Sequence, residues 1–187
     1  MKKIWITGAS SGIGKALALK FAKEGWQVAI SARRESLLNE ICELNQNISS
    51  FPLDVTNKEK CKEVFSDILN KFQNIDICFF STGTWNPNKE KDIDIDQIEK
   101  TIKVNFFGTL NCIKSVEDYF KKKKEGHISI VSSIAGYRGL PNSTGYGPSK
   151  AALNNLAESL YFDFGRHNVR VSLVSPGFIK TPMTDKN

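Results

Sequence analysis

Lys3-Ile4-Trp5-Ile6-Thr7-Gly8-Ala9-Ser10-Ser11-Gly12-Ile13-Gly14 joins a short apolar run to a glycine-rich turn, and apolar residues at helical spacing follow it. A strand–turn–helix unit of this kind aims free helix N–H groups, and the positive end of the helix dipole, at an anion. Gly8 permits the tight turn, Gly12 a close approach of backbone to ligand, and Gly14 the packing of helix on strand. Ser10, Ser11 and Ile13 stand in the same turn and are further candidate contacts. The spacing is Gly-x-x-x-Gly-x-Gly, which differs from the Gly-x-Gly-x-x-Gly dinucleotide fingerprint.

Outward from this unit, apolar runs alternate with helical patterns along the whole chain. Strands are expected at residues 3–7, 27–31, 48–53, 75–80, 127–132 and 169–175. Most are continuously apolar, as strands are when helices cover both faces of a parallel sheet. Helices are expected at 12–24, 34–45, 57–72, about 95 to 123, and 144–166. Repeated strand–helix–strand units with right-handed crossovers predict an α/β fold: a doubly wound, mostly parallel Rossmann sheet of strand order 3-2-1-4-5-6. The 187 residues suit one domain. Loops are expected at 82–92 and 135–145.

With 40% hydrophobic and 25% charged residues, the composition is that of a globular chain. A formal charge of +6 raises nucleic acid or an anionic membrane as partners. The cations are scattered, however. Their one run, Lys121-Lys122-Lys123-Lys124, falls at an expected helix end, where cations complement the dipole. No nucleic-acid partner is expected. No stretch reaches the roughly 18 apolar residues of a membrane span. Gly8 also cuts the first apolar run too short for a signal peptide, so a cytoplasmic protein is expected. Cys42, Cys61, Cys78 and Cys112 form no CxxC and no metal-ligand spacing with the histidines. Reduced thiols and no metal are expected, with Cys78 a small core residue.

An acidic residue after the second strand would bond the ribose of NAD and repel a 2′-phosphate. Here the chain reads Ser31-Ala32-Arg33-Arg34, with two guanidiniums whose fork geometry suits a phosphate. NADP is therefore the expected cofactor, with NAD less favoured. Asp54, in Leu53-Asp54-Val55-Thr56, is placed to cap the next helix.

Tyr146-Gly147-Pro148-Ser149-Lys150 sets a tyrosine and a lysine at i and i+4, on one helix face. An ammonium about 4 Å from a phenol, at an effective dielectric near 20, favours the phenolate by roughly 4 kcal/mol before desolvation is counted. That is about three pKa units at most, enough to bring a phenol toward neutrality. The pair can thus serve as a general acid/base, and it follows a strand and a Gly-rich loop, where such sheets bind ligands. Just upstream, Val131-Ser132-Ser133-Ile134-Ala135-Gly136 offers two hydroxyls that could bond a substrate oxygen as charge develops on it. Neither serine reads as a nucleophile. No Gly-x-Ser-x-Gly elbow surrounds them, and His127 and His167 flank strands.

In these motifs, and over essentially its whole length, the chain resembles the short-chain dehydrogenase/reductase family, whose members pair Thr-Gly-x-x-x-Gly-Ile-Gly with Tyr-x-x-x-Lys. The resemblance implies an NADP-dependent oxidoreductase that moves a hydride between nicotinamide and a carbonyl or secondary alcohol carbon of a small molecule. It makes Tyr146 the proton donor, Lys150 the holder of the nicotinamide ribose and depressor of the Tyr146 pKa, and Ser133 the orienter of the substrate oxygen. It places Asn105, in Val104-Asn105-Phe106-Phe107-Gly108, on a water that links Lys150 to solvent. An asparagine of that kind in mid-helix predicts a kink. The family also sets Asp54 with Val55 against the adenine, in competition with the capping role, and Arg33 where NADP-preferring members carry a basic residue. Gly83 belongs to the cofactor contacts, and Pro176, Gly177, Ile179 and Thr181 embrace the carboxamide. A homodimer or homotetramer is implied as well.

The match departs in two places. Phe80-Ser81-Thr82-Gly83 stands where the family shows Asn-Asn-Ala-Gly, so sheet-stabilising polar contacts are expected to be lost at Phe80. The chain also ends at Asn187, short of the usual substrate-covering helices and seventh strand, either as a fragment or as a reduced six-stranded form. That short end favours a second reading, a non-catalytic NADP-binding sensor or scaffold, whereas intact Asn105, Ser133, Tyr146 and Lys150 favour the enzyme. A sugar-nucleotide epimerase shares Tyr-x-x-x-Lys but differs in glycine spacing and length. Trp85, Tyr137 and Leu140, in the two loops, point to an apolar or aromatic substrate.

Overall fold

The computed structural model describes residues 1–87 and 93–184. In chain order its elements are β1 (Lys3–Thr7), α1 (Gly12–Lys23), β2 (Gln27–Ser31), α2 (Glu35–Glu43), β3 (Ile48–Ser50), α3 (Lys58–Phe72), β4 (Ile77–Phe80), α4 (Ile95–Ile102), α5 (Gly108–Lys123), β5 (Gly126–Val131), α6 (Tyr146–Gly165) and β6 (Val169–Val174). The strands form one sheet in the order β3-β2-β1-β4-β5-β6, and every pairing is parallel. This is the doubly wound Rossmann order expected from the sequence.

Alternation along each strand divides the core in two. Trp5, Cys78, Phe80, Ile128 and Ile130 face one side and pack with side chains of α3, α5 and α6. Ile4, Ile6, Val28, Ile30 and Phe79 face the other and pack with α1 and α2. Thr7 is level with both Ser31 and Phe80, so the turns after β1, β2 and β4 open along one edge. Chain order reverses between β1 and β4, which is where a crevice forms in such sheets.

Several boundaries differ from the expected ones, each for a local reason. β3 stops at Ser50 because Pro52 has no N–H to donate. Bonds from Phe51 N to Ile30 O (2.8 Å) and Leu53 N to Ala32 O (3.0 Å) carry the pairing past it. β4 begins at Ile77 because the Ile75 amide donates to the Tyr119 hydroxyl, at 2.9 Å. The helix expected from 95 to 123 is two helices joined by a π-helical stretch at Lys103–Phe107, with Asn105 at its centre. At the place where a kink was expected the chain thus departs from α-helical bonding through a single π-helical turn, a feature that recurs at functional sites.

The lysine run is not simply solvated. Lys123 donates to Ile75 O at 2.9 Å and pairs with Asp76 at 3.1 Å, tying the end of α5 to the start of β4. Phe80 makes an apolar contact where the resemblance expected a polar one. It is buried edge-on to Trp5, with ring centres 5.6 Å apart. The neighbouring Ser81 hydroxyl donates to Thr7 O at 2.6 Å, while the buried Thr7 hydroxyl itself has no partner among the described residues. Residues 88–92 of the loop expected at 82–92 lie outside the described residues. Among the described residues no helix is long and apolar enough to cross a membrane.

Candidate active site

The glycine turn is shaped by what its residues lack. Gly8 and Gly12 have φ of +71° and +55°, in the left-handed region that disfavours side chains. A Cβ on Gly8 would fall 2.8 Å from the Ser81 backbone, and one on Gly14 would fall 2.6 Å from Gly8 O. The start of α1 is therefore pressed against β1 and the end of β4. Its N-cap, Ser11, makes no side-chain capping bond, and the first turn holds no acidic residue. The first amides thus keep their affinity for an anion.

A cleft of about 250 Å³ runs along this turn. Gly8 and residues 10–14 form one wall, Arg33, Arg34, Asp54 and Val55 the far end, and Gly83 part of the floor. Arg34 donates to the Ser10 hydroxyl at 3.1 Å, so one guanidinium already bridges the end of β2 and the glycine turn. Asp54 does not cap α3; Asn57 does, accepting from Lys60 N at 3.0 Å. Asp54 instead accepts from the Thr56 amide (2.9 Å) and hydroxyl (2.8 Å). Partial burial pushes its carboxyl up, but these two bonds and the nearby Arg33 and Lys103 charges together hold it below the usual carboxylate range.

Beyond Gly83 a second hollow of about 100 Å³ is lined by Ser133, Tyr146, Lys150, Pro176, Gly177, Ile179 and Thr181. The structure thus gathers the sequence-predicted residues of this end into one place. Ser133 lies beside the Tyr146 hydroxyl. Ser132 turns its hydroxyl to α6, donating to Lys150 O at 3.0 Å. Lys150 is 3% exposed, and its ammonium donates to Val131 O at 2.9 Å. Burial without a carboxylate partner pushes its pKa down to about 8. A Cβ on Gly83 would lie 3.5 Å from Lys150 Nζ and 3.6 Å from Asn105 Oδ1, so this glycine is the floor above both. At the far side, Ile179 O accepts from the Thr184 hydroxyl at 2.7 Å.

One expectation needs correction. Tyr146 is not shifted toward neutrality: burial raises its pKa, and the Ser133 hydroxyl pulls only part of the way back. The lysine is oriented to a carbonyl, and its own charge is weakened by burial. The side chain of Asn105 is engaged by neighbouring protein groups. Fully buried, it accepts from Thr84 N (2.7 Å) and donates to Thr84 O (3.0 Å) and Ser149 Oγ (3.0 Å). It therefore clamps the segment after β4 onto α6.

Sequence reasoning missed Ser81, Ser149 and Thr84. Ser149, which passes the Asn105 contact on to Tyr146 O at 2.7 Å, sits inside the Tyr-x-x-Ser-Lys stretch, where its i+3 spacing from Tyr146 was a usable signal. Thr84 acts through its backbone and leaves no trace in residue type. Of the loop aromatics, Trp85 stands beside Tyr146, with ring centres 6.3 Å apart, while Tyr137 is largely exposed.

Comparison with known proteins returns a match to the short-chain dehydrogenase family model over residues 2–187. The chain is 36% identical over 185 residues to a 3-oxoacyl-(acyl-carrier-protein) reductase of Thermotoga maritima, covering 97% of this chain and 75% of the relative. It is 35% identical over 181 residues to an uncharacterised oxidoreductase of Staphylococcus epidermidis, covering 96% and 79%. The solved structure of ElxO with NADP bound superposes with a TM-score of 0.93 at 32% identity, covering 99% of this chain and 77% of that one.

Proposed function

The chain belongs to the short-chain dehydrogenase family, and on that premise we propose that it is an NADP(H)-dependent oxidoreductase acting on a carbonyl or secondary alcohol of a small molecule. One observation carries the reading: Ser133, Tyr146 and Lys150 line a hollow that adjoins a glycine-walled cleft ending at two guanidiniums. The residues fit the cofactor. The glycine turn leaves room where Cβ atoms would intrude, the first turn of α1 offers uncapped amides, and no carboxylate follows β2 to repel a 2′-phosphate. The NADP carried by ElxO supports the same choice.

In this reading residues 8–14 hold the pyrophosphate, Arg33 and Arg34 the 2′-phosphate, and Asp54 with Val55 the adenine. Lys150 holds the nicotinamide ribose, while Pro176, Gly177, Ile179 and Thr181 surround the carboxamide. When bound, the cofactor supplies or accepts the hydride. Tyr146 gives its phenolic proton to the carbonyl oxygen, and Ser133 orients that oxygen by a hydrogen bond. Asn105 keeps the Gly83–Thr84 segment seated above Lys150. A dimer or tetramer belongs to the same reading.

The experiment is an equilibrium titration with NADPH and NADH, followed by NADPH oxidation with a panel of small carbonyl compounds. Tighter binding of NADPH and turnover of at least one carbonyl are expected. Binding of neither cofactor would overturn the proposal.

A further inference from the structure

Three successive residues at the tip of β5 engage α6. Val131 O accepts from the Lys150 ammonium at 2.9 Å, the Ser132 hydroxyl donates to Lys150 O at 3.0 Å, and Ser133 lies beside the Tyr146 hydroxyl. The Ser132 hydroxyl also lies 2.5 Å from Asn154 Oδ1, one turn further along the helix, so its single proton is shared between two acceptor oxygens. Both side chains are buried, at 2% and 8% exposure. The turn after β5 closes over them so tightly that a Cβ on Gly136 would fall 2.9 Å from both Asn154 Nδ2 and the Lys150 carbonyl carbon.

The first turn of α6 needs such a tether. Its N-cap, Gly145, has no side chain to cap it, and Gly147 within the first turn is a weak helix former. Yet the functional tyrosine and lysine lie on that turn and the next.

We propose that Ser132 and Asn154 form a latch between β5 and α6 that positions Lys150 and Tyr146 against Ser133. Neither is a catalytic residue. Ser132 lines the hollow, but its hydroxyl is engaged by Lys150 O and Asn154 Oδ1 on the helix, and Asn154 does not line the hollow. They act through the residues they hold. The latch gives the two adjacent serines after β5 separate roles: the second faces the hollow, and the first fixes the helix that carries the acid. The inference rests on the proposed role of Tyr146 and Lys150, and its test is chosen to separate the two.

The variants are Asn154→Ala, Ser132→Ala, Ser132→Thr and the double alanine form, with Asn154→Ser in reserve should Asn154→Ala fail to fold. In a turnover assay Asn154→Ala is expected to lower kcat by about tenfold or more, as misplacement of a reacting group does, with NADPH affinity little changed. Ser132→Thr, which keeps the hydroxyl, regains most of the loss seen in Ser132→Ala. The double variant loses no more than the worse single one, because both break the same contact. A change in kcat below about twofold, or losses that multiply, would overturn the latch. The second readout needs no activity: titration of Lys150 by NMR with labelled lysine. Its pKa of about 8 is expected to rise in Asn154→Ala as the side chain loosens toward solvent. Where the wild type turns over no compound of the panel, the kinetic comparison falls away but this readout still decides, and an unmoved Lys150 pKa refutes the latch.

Discussion

The ammonium of Lys150 stands 5.6 Å from the centre of the Tyr146 ring and donates to the Val131 carbonyl. Spacing of i to i+4 brings the two side chains to one face of α6, as the sequence requires. The same burial that orients the pair works against both charges: it raises the phenol and lowers the ammonium. In the cofactor-free protein Tyr146 is thus a protonated acid near neutral pH, in the state needed to donate to a carbonyl oxygen.

Burial of Lys150 has a consequence for stability. Its pKa is about 8 in the folded chain and about 10.4 when unfolded. Below pH 8 the lysine is charged in both states, and the full cost of burying the charge is present, roughly 3 kcal/mol. Between pH 8 and about 10.4 the unfolded chain binds a proton that the folded chain has shed, so this contribution to stability rises with pH. Urea unfolding at pH 7 and pH 9.5 should show the wild type gaining on Lys150→Met over that interval. A constant difference between the two proteins would contradict the buried, lowered lysine.

Cofactor choice rests on the end of β2. Arg34 is already tied to Ser10, while Arg33 is exposed and places its charge near Asp54. Arg33→Asp removes a phosphate partner and adds a repelling charge. A charge-assisted bond contributes about 1.5–3 kcal/mol, so NADPH affinity should fall by about ten- to a hundredfold while NADH is spared. An unchanged NADPH-to-NADH ratio in kcat/KM would remove Arg33 from the cofactor site.

Gly14 tests the packing of the turn. In Gly14→Ala the new methyl would fall 2.6 Å from Gly8 O and 2.9 Å from Ser81 Oγ, and neither backbone nor the Ser81 bond to Thr7 yields readily. Overpacking of this kind costs about 1–3 kcal/mol, and each kcal/mol lowers Tm by about 2–4 °C in a chain of this size. Gly165→Ala is the control, since nothing lies within 4 Å of its added Cβ at the end of α6. Its Tm should hold or rise. Equal Tm values for the two variants would show that the turn is looser than described.

The sheet and its order were legible because continuous apolar runs and helical spacing alternate without interruption, and each crossover has one permitted hand. The place of the π-helical stretch was legible from one residue, an asparagine in the middle of a helical pattern. What was not legible depends on contacts distant in sequence. Nothing local announces that Ser81 bonds Thr7, 74 positions away. The sign of the Tyr146 shift was also hidden. Coulomb attraction to a lysine can be written down from spacing, but desolvation depends on how α6 is covered. Asp54 was readable as a residue of interest, yet its role as cap passed to Asn57 three positions on.

The central claim is that Tyr146 donates the proton in a reaction dependent on NADPH. The most direct measurement compares wild type with Tyr146→Phe, reading NADPH affinity by titration and turnover by NADPH oxidation with a responsive carbonyl compound. Loss of a general acid lowers turnover by on the order of 10²–10⁴-fold, with NADPH binding retained, because the phenylalanine keeps the ring and removes only the hydroxyl. Turnover equal in the two proteins would contradict the account and leave the hollow between β5 and α6 without its acid.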